Sequence, residues 1–228
     1  MDTPKLREIK SFVLRQGRLT KAQQQAIDTL WPRYGIDAGS SLLDFAQLFA
    51  NDHPVTLEIG FGNGESLAEM AKASPERNFV GIEVHTPGVG HLLYLIGEQQ
   101  LSNIRLLNTD AVDIIKQRIA LQSLDRVQLY FPDPWHKKRH HKRRIVQADF
   151  VQMIAERLKP QGIFHLATDW EDYALQMADV MNASSAFKSL APDGTAFSPR
   201  LTERPLTKFE QRGLKLGHGV WDLLYQRV

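Results

Sequence analysis

The chain has 228 residues, enough for one complete α/β core, and no cysteine, which excludes disulfides, thiolate metal sites and a cysteine nucleophile. No apolar stretch approaches the roughly 20 residues of a membrane span, and residues 1–10 lack the apolar core of a signal peptide, so a soluble cytoplasmic protein is expected. The 28 Lys and Arg nearly balance the 26 Asp and Glu, yet six of the cations lie between residues 136 and 144 with no acid among them, leaving 22 against 26 elsewhere. A generally basic protein is thereby excluded, and one patch that meets a polyanion is predicted, nucleic acid being the natural candidate.

Residues 3–35 are charged and irregular, reading as an arm followed by a short helix near 21–30. Residues 40–50 carry a helical apolar pattern with Ser40 as its cap. From residue 54 the text becomes a repeat of strand, loop and helix. Strands are expected over 55–59, 78–83, 104–108, 127–131, 163–168 and 220–225. Helices are expected over 65–73, 88–100, 111–120, 145–158 and 171–182, with Pro160 and Gly162 stopping the fourth of these. A turn falls at Pro192-Asp-Gly194. Alternation at this spacing predicts a mostly parallel sheet with helices on both faces. The chain divides on this reading into an arm and helical extension, 1–50, and an α/β domain, 51–228.

The loop after the first strand reads Glu58-Ile-Gly60-Phe-Gly62-Asn-Gly64 and opens a helix. A dinucleotide fingerprint would space its glycines G-x-G-x-x-G and seat a pyrophosphate. Here the spacing is G-x-G-x-G, and Glu58 and Glu65 flank it, which would repel phosphate. Such a loop suits a ligand with a cationic centre and an amino group, as in S-adenosylmethionine. Glu83 ends the next strand, where an acid accepts from ribose hydroxyls, and Asp110 follows the third strand, placed to reach the adenine end. Together with Asp133, four acids end four successive strands, the edge along which open α/β sheets bind ligands. Glu65 reads as an ordinary acid in the first turn of a helix.

The fourth strand runs into Phe131-Pro-Asp133-Pro-Trp135 and then into nine basic or imidazole side chains, His136 to Arg144. Two prolines stiffen the turn and preset the aim of Asp133. Trp135 is either a stacking platform for a base or a core or lid tryptophan. His136 and His140 stand four residues apart, but the Lys and Arg between them repel a metal ion, and none is expected.

These motifs resemble the tRNA (guanine-N7-)-methyltransferase family over nearly the whole length. The resemblance rests on the glycine loop, Gly81-Ile-Glu-Val-His85, Asn108-Thr-Asp110, the Pro-Asp-Pro-Trp block with its basic tail, Thr168-Asp-Trp170, Thr207-Lys-Phe-Glu210 and the arm Phe12-Val-Leu-Arg-Gln-Gly-Arg18. His136 departs from it, standing where many members have Pro. The resemblance implies an α/β fold of the class I, Rossmann-like methyltransferase type, with a mostly parallel seven-stranded sheet. It implies methyl transfer from S-adenosylmethionine to N7 of a guanine in the variable loop of tRNA. Carried over by position, Glu58, Gly60, Gly62, Gly64, Glu83, Asp110 and Asp133 would form the cofactor site, with Asp133 also catalytic. Lys137, Asp169, Thr207, Lys208, Phe209 and Glu210 would hold the substrate, and Arg139, His140, His141, Lys142, Arg143 and Arg144 would touch RNA.

N7 of guanine has a free lone pair, so the implied chemistry needs alignment and charge stabilisation, not a nucleophile or a metal. Three other readings compete. Pro-Asp-Pro-Trp is close to the motif of methyltransferases that act on exocyclic amino groups, although proline flanks the acid on both sides here. A nicotinamide dehydrogenase conflicts with the glycine spacing and Glu58. A non-catalytic RNA-binding protein would have no need of all four acids. A monomer is expected, since no heptad or long apolar seam is visible.

Overall fold

The computed structural model describes residues 10–13, 17–206, 210 and 219–228. Seven strands form one sheet in the order β3-β2-β1-β4-β5-β7-β6. They are β1 (Val55–Ile59), β2 (Asn78–Ile82), β3 (Ile104–Leu107), β4 (Leu124–Tyr130), β5 (Leu158–Thr168), β6 (Phe187–Ser189) and β7 (Trp221–Arg227). The first five pair in parallel, and β7 runs antiparallel between β5 and β6. β1 and β2 are buried at every position, which is why they read as mainly apolar runs, interrupted by Thr56, Glu58 and Asn78.

Helices α2 (Phe45–Phe49), α5 (Ala111–Gln117), α6 (Ala148–Arg157) and α7 (Glu171–Asn182) contribute to the core on one face. There Leu57, Ile59, Val127, Leu129, Phe164 and Leu166 meet Ile114, Ile154 and Met177. Helices α1 (Lys21–Tyr34), α3 (Glu65–Ala73) and α4 (Thr86–Gln99) contribute to the core on the other face, with Leu67, Leu92 and Ile96 against Phe79 and Ile104. Alternate strand residues point to opposite faces, so Thr56 and Glu58 lie on the α3 side while Leu57 and Ile59 lie on the α6 side. The extension before residue 51 is built into these same cores: Tyr34 joins one, and Ile36, Phe45 and Phe49 join the other.

Several boundaries differ from expectation, each for a local reason. Helix α1 continues through Pro32 to Tyr34, and Gly35 closes it with an N–H bond to the Trp31 carbonyl at 2.7 Å. Helix α2 is short because Asp44, not Ser40, caps it. The helix expected over 145–158 begins at Ala148, since Arg144 to Gln147 are spent on side-chain contacts, and it ends at Arg157. β5 starts at Leu158, so Pro160 and Gly162 lie within a strand whose pairing to β4 is irregular between Leu124 and Arg126. Helix α5 stops at Gln117, three residues early, and β4 starts three residues early. β6 was not located in the sequence, having only three residues, Phe187-Lys-Ser. Among the described residues no helix is long and apolar enough to cross a membrane.

Candidate active site

The carboxyl ends of β1, β2, β3 and β4 open on a cavity of about 510 Å³. Gly60 of the glycine loop lies in its floor. Gly60, Gly62 and Gly64 all adopt positive φ, at 73°, 59° and 74°. At Gly64 a side chain is barred twice over, because a Cβ would also lie 2.6 Å from Leu92 of α4. At Gly60 and Gly62 a Cβ would meet nothing within 4 Å, so the loop leaves open space where a ligand can approach the backbone.

Glu83 lines the cavity and organises this floor. One of its carboxylate oxygens accepts from Gly62 N–H at 2.9 Å, and the other accepts from Val84 and His85 N–H at 2.7 and 2.8 Å. Asp110 caps α5 through Val112 N–H at 3.1 Å and meets the Lys10 ammonium at 3.6 Å. Glu58 stands one residue inside the strand end and is not a lining residue; only 3% of it is exposed. Burial first, and the nearby Glu83 carboxylate second, push its carboxyl up to about 8. Its Oε2 has no hydrogen-bond partner. A buried acid with an orphaned oxygen beside an open glycine floor fits a ligand bearing an ammonium and a sulfonium, and it conflicts with a pyrophosphate.

The Pro-Asp-Pro turn forms the far wall. Phe131 and Trp135 both have positive φ, at 51° and 46°. Left-handed backbone at two large residues costs about 1–3 kcal/mol each and persists only where surroundings hold it. Phe131 N–H is held by the Ala167 carbonyl at 2.8 Å, and the Pro134 carbonyl accepts from Arg144 Nε–H at 2.8 Å. Between these anchors Asp133 is exposed, lines the cavity, and carries no hydrogen bond or ion pair among the described residues.

Trp135 is not a bare platform: it anchors the arm. Its indole N–H donates to the Ser11 carbonyl at 3.0 Å, and the Arg143 guanidinium covers its ring at 4.0 Å. Arg143 also donates to the Lys10 carbonyl at 3.0 Å. Ser11, Phe12 and Val13 of the arm therefore roof the cavity, a role the sequence did not reveal.

The basic run folds into a 3-10 helix, Lys138–Arg143, with Lys137 at its start. Lys137, Lys138, Arg139 and Lys142 are exposed, and His140 packs edge-on to Trp135 at 5.9 Å. Partial desolvation, then the cations Arg139, Arg143, Lys137 and Lys142, hold His140 below its ordinary value. Arg144 corrects the expectation of an RNA contact: it is 2% exposed. Its guanidinium donates to Asp172 at 2.5 Å and to Gln176 at 3.1 Å and stacks on Tyr173 at 4.7 Å, which pins the run to α7. Asp169 follows the last residue of β5, half-buried beside Trp170, whose ring meets His136 at 4.2 Å.

Glu210 also departs from expectation. It is 2% exposed and paired with Arg204 at 2.7 and 2.8 Å, so this carboxylate is committed inside the protein. Thr207, Lys208 and Phe209 lie outside the described residues. Among the described residues no group of three His, Asp or Glu is placed to hold a metal ion.

The sheet order, the glycine floor and the strand-end acids define a class I methyltransferase that uses S-adenosylmethionine. Solved structures share this fold: the 16S rRNA methyltransferase KamB superposes with a TM-score of 0.56 at 17% identity, covering 82% of this chain and 94% of that one. A 16S rRNA (adenine(1408)-N(1))-methyltransferase from Catenulisporales acidiphilia, solved with its cosubstrate, gives 0.57 at 16%, covering 82% and 92%. The family model described as "Putative methyltransferase" matches residues 52–223. A tRNA (guanine-N(7)-)-methyltransferase of Hydrogenovibrio crunogenus is 57% identical over 97% of this chain and 92% of that protein, and one of Vibrio cholerae is 57% identical over 98% and 93%. The chain belongs to the tRNA (guanine-N7-)-methyltransferase family.

Proposed function

We propose that the protein methylates N7 of a guanine in the variable loop of tRNA. The observation that carries this reading is Asp133, an uncommitted carboxylate on a turn held at both ends, facing the cofactor cavity beside a run of exposed cations. S-adenosylmethionine supplies the methyl group from its sulfonium. Glu58 would meet the ammonium through its orphaned oxygen, and the open backbone at Gly60 and Gly62 would seat the cofactor. Asp133 would accept from the Watson–Crick donors of guanine and offset the positive charge that grows on the purine, while the lone pair of N7 attacks without prior loss of a proton. Lys137, Arg139, His140 and Lys142 would meet phosphates, and Asp169 would meet the nucleoside from the end of β5. A guanine stacked in folded tRNA must be extruded to reach the cavity. The reading also places the protein in the cytoplasm as a monomer that works without a metal.

The test separates rate from affinity. With labelled cofactor, unmodified tRNA and digestion to nucleosides, label is expected in 7-methylguanosine. Asp133→Asn is expected to lower the single-turnover rate at least about 100-fold with tRNA affinity changed less than about threefold. Lost affinity with an intact rate would reject the role of Asp133, and label in an N-methylated amino nucleoside would overturn the acceptor.

A further inference from the structure

The α3 face of the sheet carries a row of buried polar side chains, and beyond Glu58 the chemistry above does not use them. Strand register sets Glu58 beside Gln128, Gln128 beside His165, and Ala167 beside Asp222. From β4 outward a chain of hydrogen bonds is continuous. The Tyr130 O–H donates to His165 Nδ1 at 2.9 Å, and His165 Nε2–H donates to Asp222 at 2.8 Å. Asp222 is a carboxylate and only accepts, which sets the proton on Nε2 and leaves Nδ1 to accept from tyrosine. Arg204 gives Nε and Nη2 to the two oxygens of Asp222 at 2.8 and 2.9 Å. It gives Nη1 and Nη2 to the two oxygens of Glu210 at 2.7 and 2.8 Å. None of Arg204 is exposed, and its guanidinium lies 5.8 Å from the ring centres of both Tyr130 and Phe131.

Stability alone does not account for this cluster, because a buried ion pair rarely outperforms apolar packing; its best-attested use is to impose one arrangement on its neighbours. Only a planar guanidinium can hold two carboxylates in paired fashion while stacking on rings; an ammonium cannot. The rings it stacks on are the last residue of β4 and the one after it. Phe131 is the left-handed residue from which Pro132 and Asp133 depart, a conformation that needs surroundings to hold it. The other end of the same guanidinium grips Glu210, the last residue of the segment that the family resemblance assigns to the substrate.

We propose that Arg204 is a positioning residue for methyl transfer: by stacking on Tyr130 and Phe131 while clasping Asp222 and Glu210, it fixes the strand end from which Asp133 projects. The proposal rests on the reading of Asp133 as the group that meets guanine, and a double-mutant cycle keeps the two apart. Single-turnover methylation of tRNA is measured for the full chain, Arg204→Lys, Asp133→Glu and the double variant. Arg204→Lys is expected to slow transfer about tenfold or more when Asp133 is present and less than about twofold when it is already glutamate, with cofactor affinity unchanged. Equal losses in both backgrounds would mean a general structural support and overturn the proposal. A wild-type rate for Asp133→Glu would sink the reading of Asp133 and the proposal with it. Should Arg204→Lys fail to fold, Tyr130→Phe removes only the hydroxyl at the near end of the chain and carries the same cycle. Its loss, about threefold, must vanish beside Asp133→Glu; a persistent loss, or none in either background, overturns the proposal.

Discussion

Glu58 joins the cofactor chemistry to the stability of the fold. Its carboxyl is pushed up to about 8 by burial and by Glu83, against an ordinary value of 4.5. Between those two values the folded protein holds a proton that the unfolded chain has lost. Raising the pH through this window therefore destabilises the fold, by up to about 1.4 kcal/mol per pH unit. His165 is held below its ordinary 6.5, chiefly by burial, so it is already neutral above that pH and does not contribute. The cofactor-free protein is expected to melt lower at pH 8 than at pH 6.5, and Glu58→Gln is expected to flatten that difference. Saturating S-adenosylmethionine should flatten it too, by giving the carboxylate a cationic partner. A difference that survives in Glu58→Gln would place the effect elsewhere.

At the scale of elements, the basic run divides its labour. Arg144 faces inward and secures the Pro134 carbonyl, Asp172 and Gln176. Arg144→Ala is expected to destabilise the fold by about 1–3 kcal/mol, read from urea unfolding, because it removes a buried side chain that packs on Tyr173 and holds the Pro134 carbonyl. Arg139→Ala, on the exposed side, should leave unfolding unchanged. The sequence shows six cations within nine residues but not which one turns inward, since that depends on the i, i+4 spacing of Asp172 and Gln176 on α7. The units from β1 to α4 were legible almost to the residue, because buried parallel strands and amphipathic helices announce themselves by period. Strand-end acids were legible for the same reason. β6 was too short to show a period, and the start of β5 hid behind Pro160 and Gly162. Arg204, His165 and Asp222 stood unseen because only sheet pairing brings His165 and Asp222, 57 residues apart, into contact. The Thr207 to Glu210 motif was visible, but nothing in it told that Glu210 would be committed to Arg204.

For the whole molecule, the exposed cations are the term that salt should control. Neutralised phosphates release counterions, so affinity falls with salt at a slope set by the number of contacts. Replacing Lys137, Lys138, Arg139 and Lys142 with glutamine is expected to flatten the log–log salt slope of tRNA binding by about three, with cofactor affinity unchanged. An unchanged slope would move the RNA surface to another part of the molecule.

The order of the strands has one more consequence, and it concerns synthesis. β7 lies between β5 and β6, although both are made before it. A growing chain on the ribosome can assemble β1 to β5 with their helices, yet β6 has no neighbour and Arg204 lacks Asp222 until residues 221–227 emerge. A copy cut short between Glu210 and that point carries Arg204 with one of its two carboxylate partners, Glu210, and without the other. If Arg204 positions Asp133 as proposed, a fragment that ends before β7 would bind cofactor yet transfer slowly, because Asp222 reaches Arg204 only with that strand.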